Sequence, residues 1–229
     1  MARASKPFFI KDCDLIALAT GVWAQNLREL RDRVTQVERQ SLYFHFFGRL
    51  LRPSFDDPDY RNDFATWADR SLRDHRLAER LGMLDPLQYE DVEDLRGALI
   101  DTLEERLAEE EETFPWAKSG QEFYFSTAQV VVFDTGLVVA TPMELAALLP
   151  RLSTGTIFYH FVEARRRVPA GKDDFTFWLE GLDRGHEELC GSLAQVDYYY
   201  GSLAQLREAL TQVFQQWATR HSPVTKAPV

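Results

Sequence analysis

The composition of this 229-residue chain is that of a globular protein, with 45% hydrophobic and 13% aromatic residues, and the length suits one large domain or two small ones. Its 26 Lys and Arg residues against 36 Asp and Glu residues give a net charge of −10, which argues against nucleic acid or an anionic membrane as the main partner. Two cysteines exclude a disulfide scaffold and a zinc site built mainly of thiolates. Since no segment has the apolar run of a signal peptide or a membrane span, the sequence predicts a cytoplasmic protein.

In the first half of the chain, a short β-hairpin is predicted to precede the helices. Aromatic and β-branched residues at 8–10 and 15–18 flank a polar, turn-like stretch at 11–14, and Thr20-Gly21 should end the second strand as a turn. Helices are then predicted over residues 26–37, 41–51, 63–72, 77–83 and 92–112. The second of these is apolar nearly all round, which predicts a buried central helix.

The second half of the chain repeats this order. Strands are predicted at 123–125 and 130–133, with a turn at Thr135-Gly136, and the last helix is predicted over 203–217. The predicted fold is therefore α+β and mostly α, with a short hairpin and four to five helices in each half.

Several sequence features recur at matching separations, which predicts a tandem duplication. The segment SLYFHF at 41–46 matches TIFYHF at 156–161, and in both halves 24 residues separate the glycine of the Thr-Gly pair from the histidine. A downstream tryptophan and arginine are separated by 29 residues in both halves. We expect repeat modules at 1–113 and 122–221 related by a pseudo-twofold axis, a linker at 114–121 and a flexible tail at 222–229.

Four polar or aromatic residues of each half are the candidate ligand-binding residues. The first set is His45, Asp63, Trp67 and Arg96, and the second is His160, Asp174, Trp178 and Arg207. His and Asp form the usual acid–base pair, Trp stacks on sugars or nucleobases, and Arg binds carboxylate or phosphate. A structural interpretation is favoured, in which each aspartate begins a helix as its cap and is bonded to a buried histidine.

These runs of sequence resemble a bacterial and archaeal family, domain of unknown function 5752, over nearly the whole chain. The matching runs are CDLIALATG, LYFHF, RNDFATW, LAERL, FDTG, GTIFYHF and ARRR. The chain departs from the family pattern at Tyr43 and at Phe47, where a tryptophan is usual. The resemblance implies no known activity and no established catalytic residues, although similar modules accompany carbohydrate-active or glycosyl-transfer proteins.

No catalytic residue, cofactor or metal site is predicted. The sequence has no phosphate-binding glycine loop, no G-x-S-x-G motif and no metal-ligand spacing around its histidines. Cys13 and Cys190 lie outside the repeated pattern, and we expect inert thiols without a disulfide. The cluster Arg165-Arg166-Arg167 is interpreted as favourable charge at a helix C-terminus, with a phosphate or acidic-partner site as the alternative.

Two functions from different classes stay open. The first is a non-enzymatic adaptor or regulatory protein that binds another protein or itself. The second is a small-molecule site, for a sugar or sugar phosphate, that lies between the modules and uses the repeated residues as a binding site or an active site. The absence of catalytic motifs favours the first function. The two functions are distinguished by whether His45 and His160 open onto a shared cleft or are sealed in their own cores.

Overall fold

The fold is α+β and mostly helical, and the part of the chain that the structure describes contains one sheet of two strands, β1 (Phe8–Ala24) and β2 (Phe123–Val139). The computed structural model describes residues 6–50, 59–109, 115–182, 185–199 and 201–221. The predicted tail at 222–229 and the first residue of the predicted linker at 114–121 lie outside these ranges. Among the described residues, no helix combines the length and the apolar character that crossing a membrane requires.

Helices follow each strand. After β1 come α1 (Leu27–Val34), α2 (Arg39–Phe47), α3 (Asp63–Arg70), α4 (His75–Gly82) and α5 (Val92–Ala108). After β2 come α6 (Pro142–Leu148), α7 (Thr154–Ile157), α8 (Ala164–Arg167), α9 (Asp174–Glu180), α10 (Glu187–Leu193) and α11 (Leu203–His221). A π-helical segment, Phe158–Glu163, joins α7 to α8.

The helices begin where short polar side chains bind the free amides of the first turn. Such N-caps precede most of them, and the capping residues are Asn26, Asn62, Asp74, Asp91, Thr141, Ser153 and Asp173. The prediction that Asp63 and Asp174 are caps is wrong by one residue. The preceding Asn62 and Asp173 accept the amide bonds, which leaves the two aspartates inside the first turn and available to other partners.

The predicted short hairpins are wrong, because each is a single 17-residue strand. Residues 11–14 are polar but continue the extended backbone, with Phe8 and Ile10 buried and Phe9 and Lys11 exposed between them. That alternation is typical of a strand with one face on a core. The pairing partner of each strand is the other strand, more than a hundred residues away.

The Thr-Gly pairs lie inside the strands rather than at their ends, so the predicted turns are also wrong. The hydroxyl of Thr20 donates to the carbonyl of Phe125 at 2.7 Å, and that of Thr135 donates to the carbonyl of Ile10 at 2.6 Å. The glycine after each threonine has a φ of +77° or +72°, in the left-handed region that glycine adopts without a steric cost. These bonds join the late part of one strand to the early part of the other, as in an antiparallel pair.

The described residues form two compact units, and both strands contribute to each. Unit 1 comprises Met1–Asp14 with Val131–Val229, and unit 2 comprises Leu15–Val130. The units therefore differ from the contiguous modules predicted at 1–113 and 122–221. In each unit we call the half-strand that packs on the helices the inner strand, 8–14 in unit 1 and 123–130 in unit 2, and the other half-strand the outer strand, 131–139 and 15–24.

Aromatic rings dominate both cores beside the inner strands. The ring of Phe8 lies 4.9 Å, 5.5 Å and 5.3 Å from those of His160, Phe175 and Trp178. In unit 2 the ring of Phe123 lies 4.8 Å, 4.9 Å and 5.7 Å from those of His45, Phe64 and Trp67. Centroid separations of this size suit attractive ring pairs, so the inner strand of each unit is fixed to its helices by aromatic packing.

Candidate functional site

In unit 1, His160 links the inner strand to α9. Its Nδ1 lies 2.6 Å from the carboxylate of Asp174, and its Nε2 accepts the backbone N–H of Lys11 at 2.9 Å. Since a backbone amide can only donate, Nε2 is the unprotonated nitrogen, and Nδ1 carries the hydrogen that is donated to Asp174. Both nitrogens of an imidazole that is 3% exposed are therefore occupied.

His45 makes the same two bonds in unit 2. Its Nδ1 lies 2.9 Å from Asp63, and its Nε2 accepts the backbone N–H of Ser126 at 3.0 Å. The predicted His–Asp bonds are thus present in both units, and both histidines are buried. The local backbone differs, because His45 lies in the regular helix α2, whereas His160 lies in the π-helical segment. Such π-helical insertions are frequent at functional sites.

Each of the two tryptophans binds a backbone carbonyl two residues before the inner strand of its unit. Trp178 Nε1 donates to the carbonyl of Lys6 at 2.9 Å, and Trp67 Nε1 donates to the carbonyl of Gln121 at 2.8 Å. Together with the histidine bonds, these contacts fix both ends of a short stretch of backbone, from residue 6 to 11 in unit 1 and from 121 to 126 in unit 2.

The structure does not place the two arginines with the other candidate residues. Arg96 donates to the carbonyl of Val34 at 2.5 Å, and Arg207 donates to the carbonyl of Leu152 at 2.8 Å. Both carbonyls lie near the ends of helical segments, where free carbonyl groups need donors. The structure therefore brings together His, Asp and Trp in each unit, and the arginines serve the backbone elsewhere.

Each His–Asp–Trp set lines a pocket of its own unit. The pocket of unit 1 has a volume of about 730 Å³ and that of unit 2 about 280 Å³. Small-molecule sites usually measure about 300–1,000 Å³, so the unit 1 pocket has the size of a ligand site. Its walls include the aromatic residues Phe9, Tyr159, Phe177 and Trp178.

The carboxylates in the wall of the unit 1 pocket are already paired with cations. Arg167 donates to Asp174 at 3.1 Å and 2.5 Å, and its guanidinium lies 4.1 Å from the centre of the Tyr159 ring. Glu180 is paired with Lys172 at 2.7 Å. Lys6 and Lys11 also line the pocket, and no residue in the described ranges pairs with either ammonium group. The pocket therefore carries an uncompensated positive charge in an acidic protein.

Sequence reasoning did not find Lys6, Lys11 or Phe177. A signal was available, because Lys6 and Lys11 stand where Gln121 and Ser126 stand at the repeat offset of 115. Within the cluster Arg165-Arg166-Arg167, different arginines fit the two interpretations. Arg165 donates to the carbonyl of Phe161 in the π-helical segment that precedes α8, whereas Arg167 lines the pocket.

The thiols are not placed for catalysis. Burial, reinforced by the neighbouring Asp12, raises the pKa of Cys13 to about 12, and its thiol donates to the carbonyl of Gly155 at 3.3 Å. Burial also raises the pKa of Cys190. In the ranges that the structure describes, no group of three or more His, Cys, Asp or Glu side chains is arranged to hold a metal ion.

The fold and its pockets define a mainly helical α+β protein in which two long strands are shared between two units, and in each unit a buried histidine links an aspartate to the inner strand. The chain belongs to DUF5752, a family of unknown function whose pattern matches residues 5–215, and this confirms the resemblance drawn from the sequence. It is similar in structure to OrfY from Thermoproteus tenax, with a TM-score of 0.76 and 27% identity over 94% of this chain and 97% of that one. No curated protein matches the chain.

Proposed function

We propose that this protein is a non-catalytic binding protein, and that the outer strand of unit 1 docks an extended apolar segment of a partner protein. The observation that carries the proposal is the exposure of apolar side chains along this strand. Val131, Val132, Phe133, Leu137 and Val138 are each 39–50% exposed. Contiguous exposed apolar surface of this kind marks interaction sites.

The type of partner follows from the geometry of the strand. Within the described ranges β2 pairs with β1 alone, so the outer strand offers a second edge to which an extended peptide can add. Neighbouring side chains of a strand point to opposite faces, and both faces of residues 131–133 are apolar and exposed. An extended segment with its own apolar side chains fits this edge, and the residues 130–133 include no charge that would repel it.

A non-catalytic role is supported by the state of the histidines. Each imidazole uses both nitrogens in bonds to the protein, so neither has a free lone pair for proton abstraction. The raised pKa of Cys13 keeps its thiol protonated.

We also propose that the chain arose by tandem duplication. The support is that the contacts made by the histidine, aspartate, tryptophan and arginine of one unit recur at the matching residues of the other. The bond from the threonine of the Thr-Gly pair to a carbonyl of the other strand recurs as well. After such a duplication, a contact that serves the fold is retained in both copies, whereas a binding surface is free to change in one of them.

The docking proposal is tested with a double variant of the outer strand, Val131→Lys with Phe133→Lys. The matched control is Ile16→Lys with Leu18→Lys, at the corresponding positions of unit 2, which are also exposed. Proteins retained from a native lysate are identified, purified and titrated against the three forms. We expect the unit 1 variant to bind a partner about tenfold more weakly or worse and the control to bind as the wild type does. Equal binding by all forms, or the absence of any partner, would contradict the proposal.

Light scattering of the purified wild-type protein tests whether a second copy of the chain, rather than another protein, occupies the outer strand. A dimer that the unit 1 variant converts to a monomer would show that a second copy of the chain occupies the strand, and docking of another protein there would be rejected. A monomer that binds the purified partner supports the proposal. A circular dichroism melt of each variant verifies that it is folded before binding is compared.

A second candidate function, binding of a sugar or sugar phosphate, is supported by the 730 Å³ pocket of unit 1 with its aromatic walls. This site lies in one unit and uses His160, Asp174 and Trp178 as its frame rather than as its ligand contacts.

A further inference from the structure

We propose that the unit 1 pocket binds a small phosphate ester that carries a ring, with Lys6 and Lys11 holding the phosphate and the aromatic walls holding the ring. The inference rests on the second function proposed above and adds the charge of the ligand and the residues that select it. It is independent of protein docking on the outer strand.

The first step is that the His–Asp–Trp set fixes the backbone at the two lysines. Trp178 holds the carbonyl of Lys6 and His160 holds the amide of Lys11. These bonds engage the backbone of both lysines, so they leave the two side chains unused, and both residues line the pocket. The frame therefore determines where the two positive charges are presented, without itself contacting a ligand.

The second step is a comparison of the two units. In unit 2 the same bonds fix Gln121 and Ser126, which are neutral. The unit 2 pocket is smaller, about 280 Å³ against about 730 Å³. The bonding frame is thus equal in the two units, while charge and volume favour a ligand in unit 1. If the bonds of the His–Asp–Trp set served folding alone, they would not explain why unit 1 has two lysines and a larger pocket at this place.

The third step concerns the sign of the charge. Arg167 is neutralised by Asp174, and Glu180 is neutralised by Lys172. This leaves Lys6 and Lys11, for which no ion pair exists among the described residues. Two ammonium groups at one pocket match the two negative charges of a phosphate monoester. In a protein with a net charge of −10, unpaired cations gathered at a cavity select an anion in preference to a neutral molecule.

The fourth step concerns the ring. Phe9 and Phe177 are 55% and 53% exposed and line the same pocket as Trp178. Exposed aromatic side chains in a pocket wall offer faces for sugar rings or nucleobases to stack on. Sugar phosphates and nucleoside monophosphates share the chemistry of a ring and a phosphate, and the titration below separates them.

The test is calorimetric titration of the full chain with glucose 6-phosphate, AMP, glucose, adenosine and inorganic phosphate. We expect one of the two phosphate esters to bind at least about tenfold more tightly than its unphosphorylated form and than inorganic phosphate. The variants are Lys6→Gln and Lys11→Ser, which introduce the residues of unit 2, and Phe177→Ala. Each should weaken binding of that ester about tenfold or more.

Two variants serve as matched controls. Lys118→Gln removes one positive charge from an exposed residue that lines neither pocket, and Arg70→Gln removes the arginine that lines the unit 2 pocket. Both should bind the ester as the wild type does. All five variants change residues at the surface or at a pocket wall, and a thermal melt confirms that each is folded.

The outcomes separate this inference from the function on which it rests. If glucose or adenosine binds as tightly as its phosphate, small-molecule binding stands and the anion inference is wrong. If inorganic phosphate binds as tightly as the esters, the role of the ring is wrong. If Lys118→Gln weakens binding as much as Lys11→Ser, the effect is one of net charge and the pocket assignment fails. If none of the five compounds binds, both the inference and the second function are rejected.

Discussion

At the scale of single residues, the two histidines act as links between a strand and a helix. Each accepts a backbone N–H of the inner strand and donates to an aspartate in the first turn of a helix. A buried polar group without a partner lowers the free energy of unfolding by about 1–3 kcal/mol. Because each imidazole accepts the strand amide and donates to the aspartate, neither the amide nor the imidazole is left without a partner. This explains why a histidine lies in each of two otherwise apolar helical segments.

A second residue-scale feature, the buried cap Asp173, predicts a pH dependence of stability. Asp173 is 2% exposed and caps α9 by accepting the amide of Thr176 at 2.8 Å. Burial raises its pKa above the usual value, and the bonds from Thr176 and the charge of Arg165 offset this only in part. The folded state therefore favours the protonated acid. The cost in stability of the buried carboxylate is therefore absent below the pKa of the unfolded chain, grows as the pH rises from there, and is complete above the raised pKa of the folded state.

We expect Asp173→Asn to raise the free energy of unfolding at neutral pH, because asparagine caps a helix as well as aspartate does and carries no charge. The gain should vanish as the pH falls to about 3, where an unperturbed aspartate is protonated. Urea denaturation at a series of pH values measures it. The matched control is Asn62→Asp in unit 2, where Asn62 makes the same cap, and it should show the reverse pH dependence. A gain that is the same at every pH would contradict burial as its cause.

At the scale of elements, a close approach fixes α7 to the inner strand of unit 1. Gly155 in α7 lies against Cys13, whose thiol donates to the Gly155 carbonyl at 3.3 Å. A Cβ at this position would overlap the carbonyl oxygen of Cys13 and the carboxylate of Asp12. Only glycine permits this distance between helix and strand, so the glycine is part of the packing rather than a turn.

We predict that Gly155→Ala lowers the free energy of unfolding by about 1–3 kcal/mol, because the helix must move away from the strand. The control is Gly97→Ala in α5, where the structure shows open space around the position of a Cβ. That change should stabilise the protein by roughly 0.5–1 kcal/mol, since alanine favours the helix. Thermal melts of the two variants should shift in opposite directions, and a shift of the same sign in both would argue against the steric explanation.

How far the elements could be predicted depends on the range of the interactions that form them. The helices were predictable because apolar spacing is a local signal, as with Leu95, Leu99 and Leu103 of α5, which are all buried. The long strands were not, because a bond such as that from Thr135 to Ile10 joins residues 125 apart, and a polar stretch at 11–14 has the local composition of a turn. The His–Asp ties were predictable because they recur. The pocket lysines were missed since a search for repeats selects what the halves share.

At the scale of the whole molecule, neither sequence half contains a complete unit. Unit 1 requires residues 8–14 from the first half, including Ile10, which has no exposed surface, and unit 2 requires residues 123–130 from the second half. A cut within the predicted linker would therefore leave neither fragment with a complete core.

We predict that a fragment of residues 114–229 lacks cooperative unfolding by itself and regains it when a peptide of residues 1–14 is added. The peptide supplies Phe8 and Ile10 to the core and the Lys11 amide to His160. Circular dichroism and tryptophan fluorescence, to which Trp178 contributes beside Trp116 and Trp217, report the change. A peptide with Ile10→Asp should fail to restore folding, because it buries an unpaired charge. Native-like unfolding of the fragment without any peptide would contradict the requirement for the inner strand.

The sharing of strands between the units also sets an order of events during synthesis. A ribosome delivers residues 15–130 before it delivers the helices of unit 1, so unit 2 can close while the chain is still growing. Residues 8–14 are translated before residues 15–130, but they can pack on their helices only when the segment beyond residue 131 has been translated. During that interval Phe8, Phe9 and Ile10 form a short apolar segment without its core, which is the kind of sequence that chaperones bind in a nascent chain.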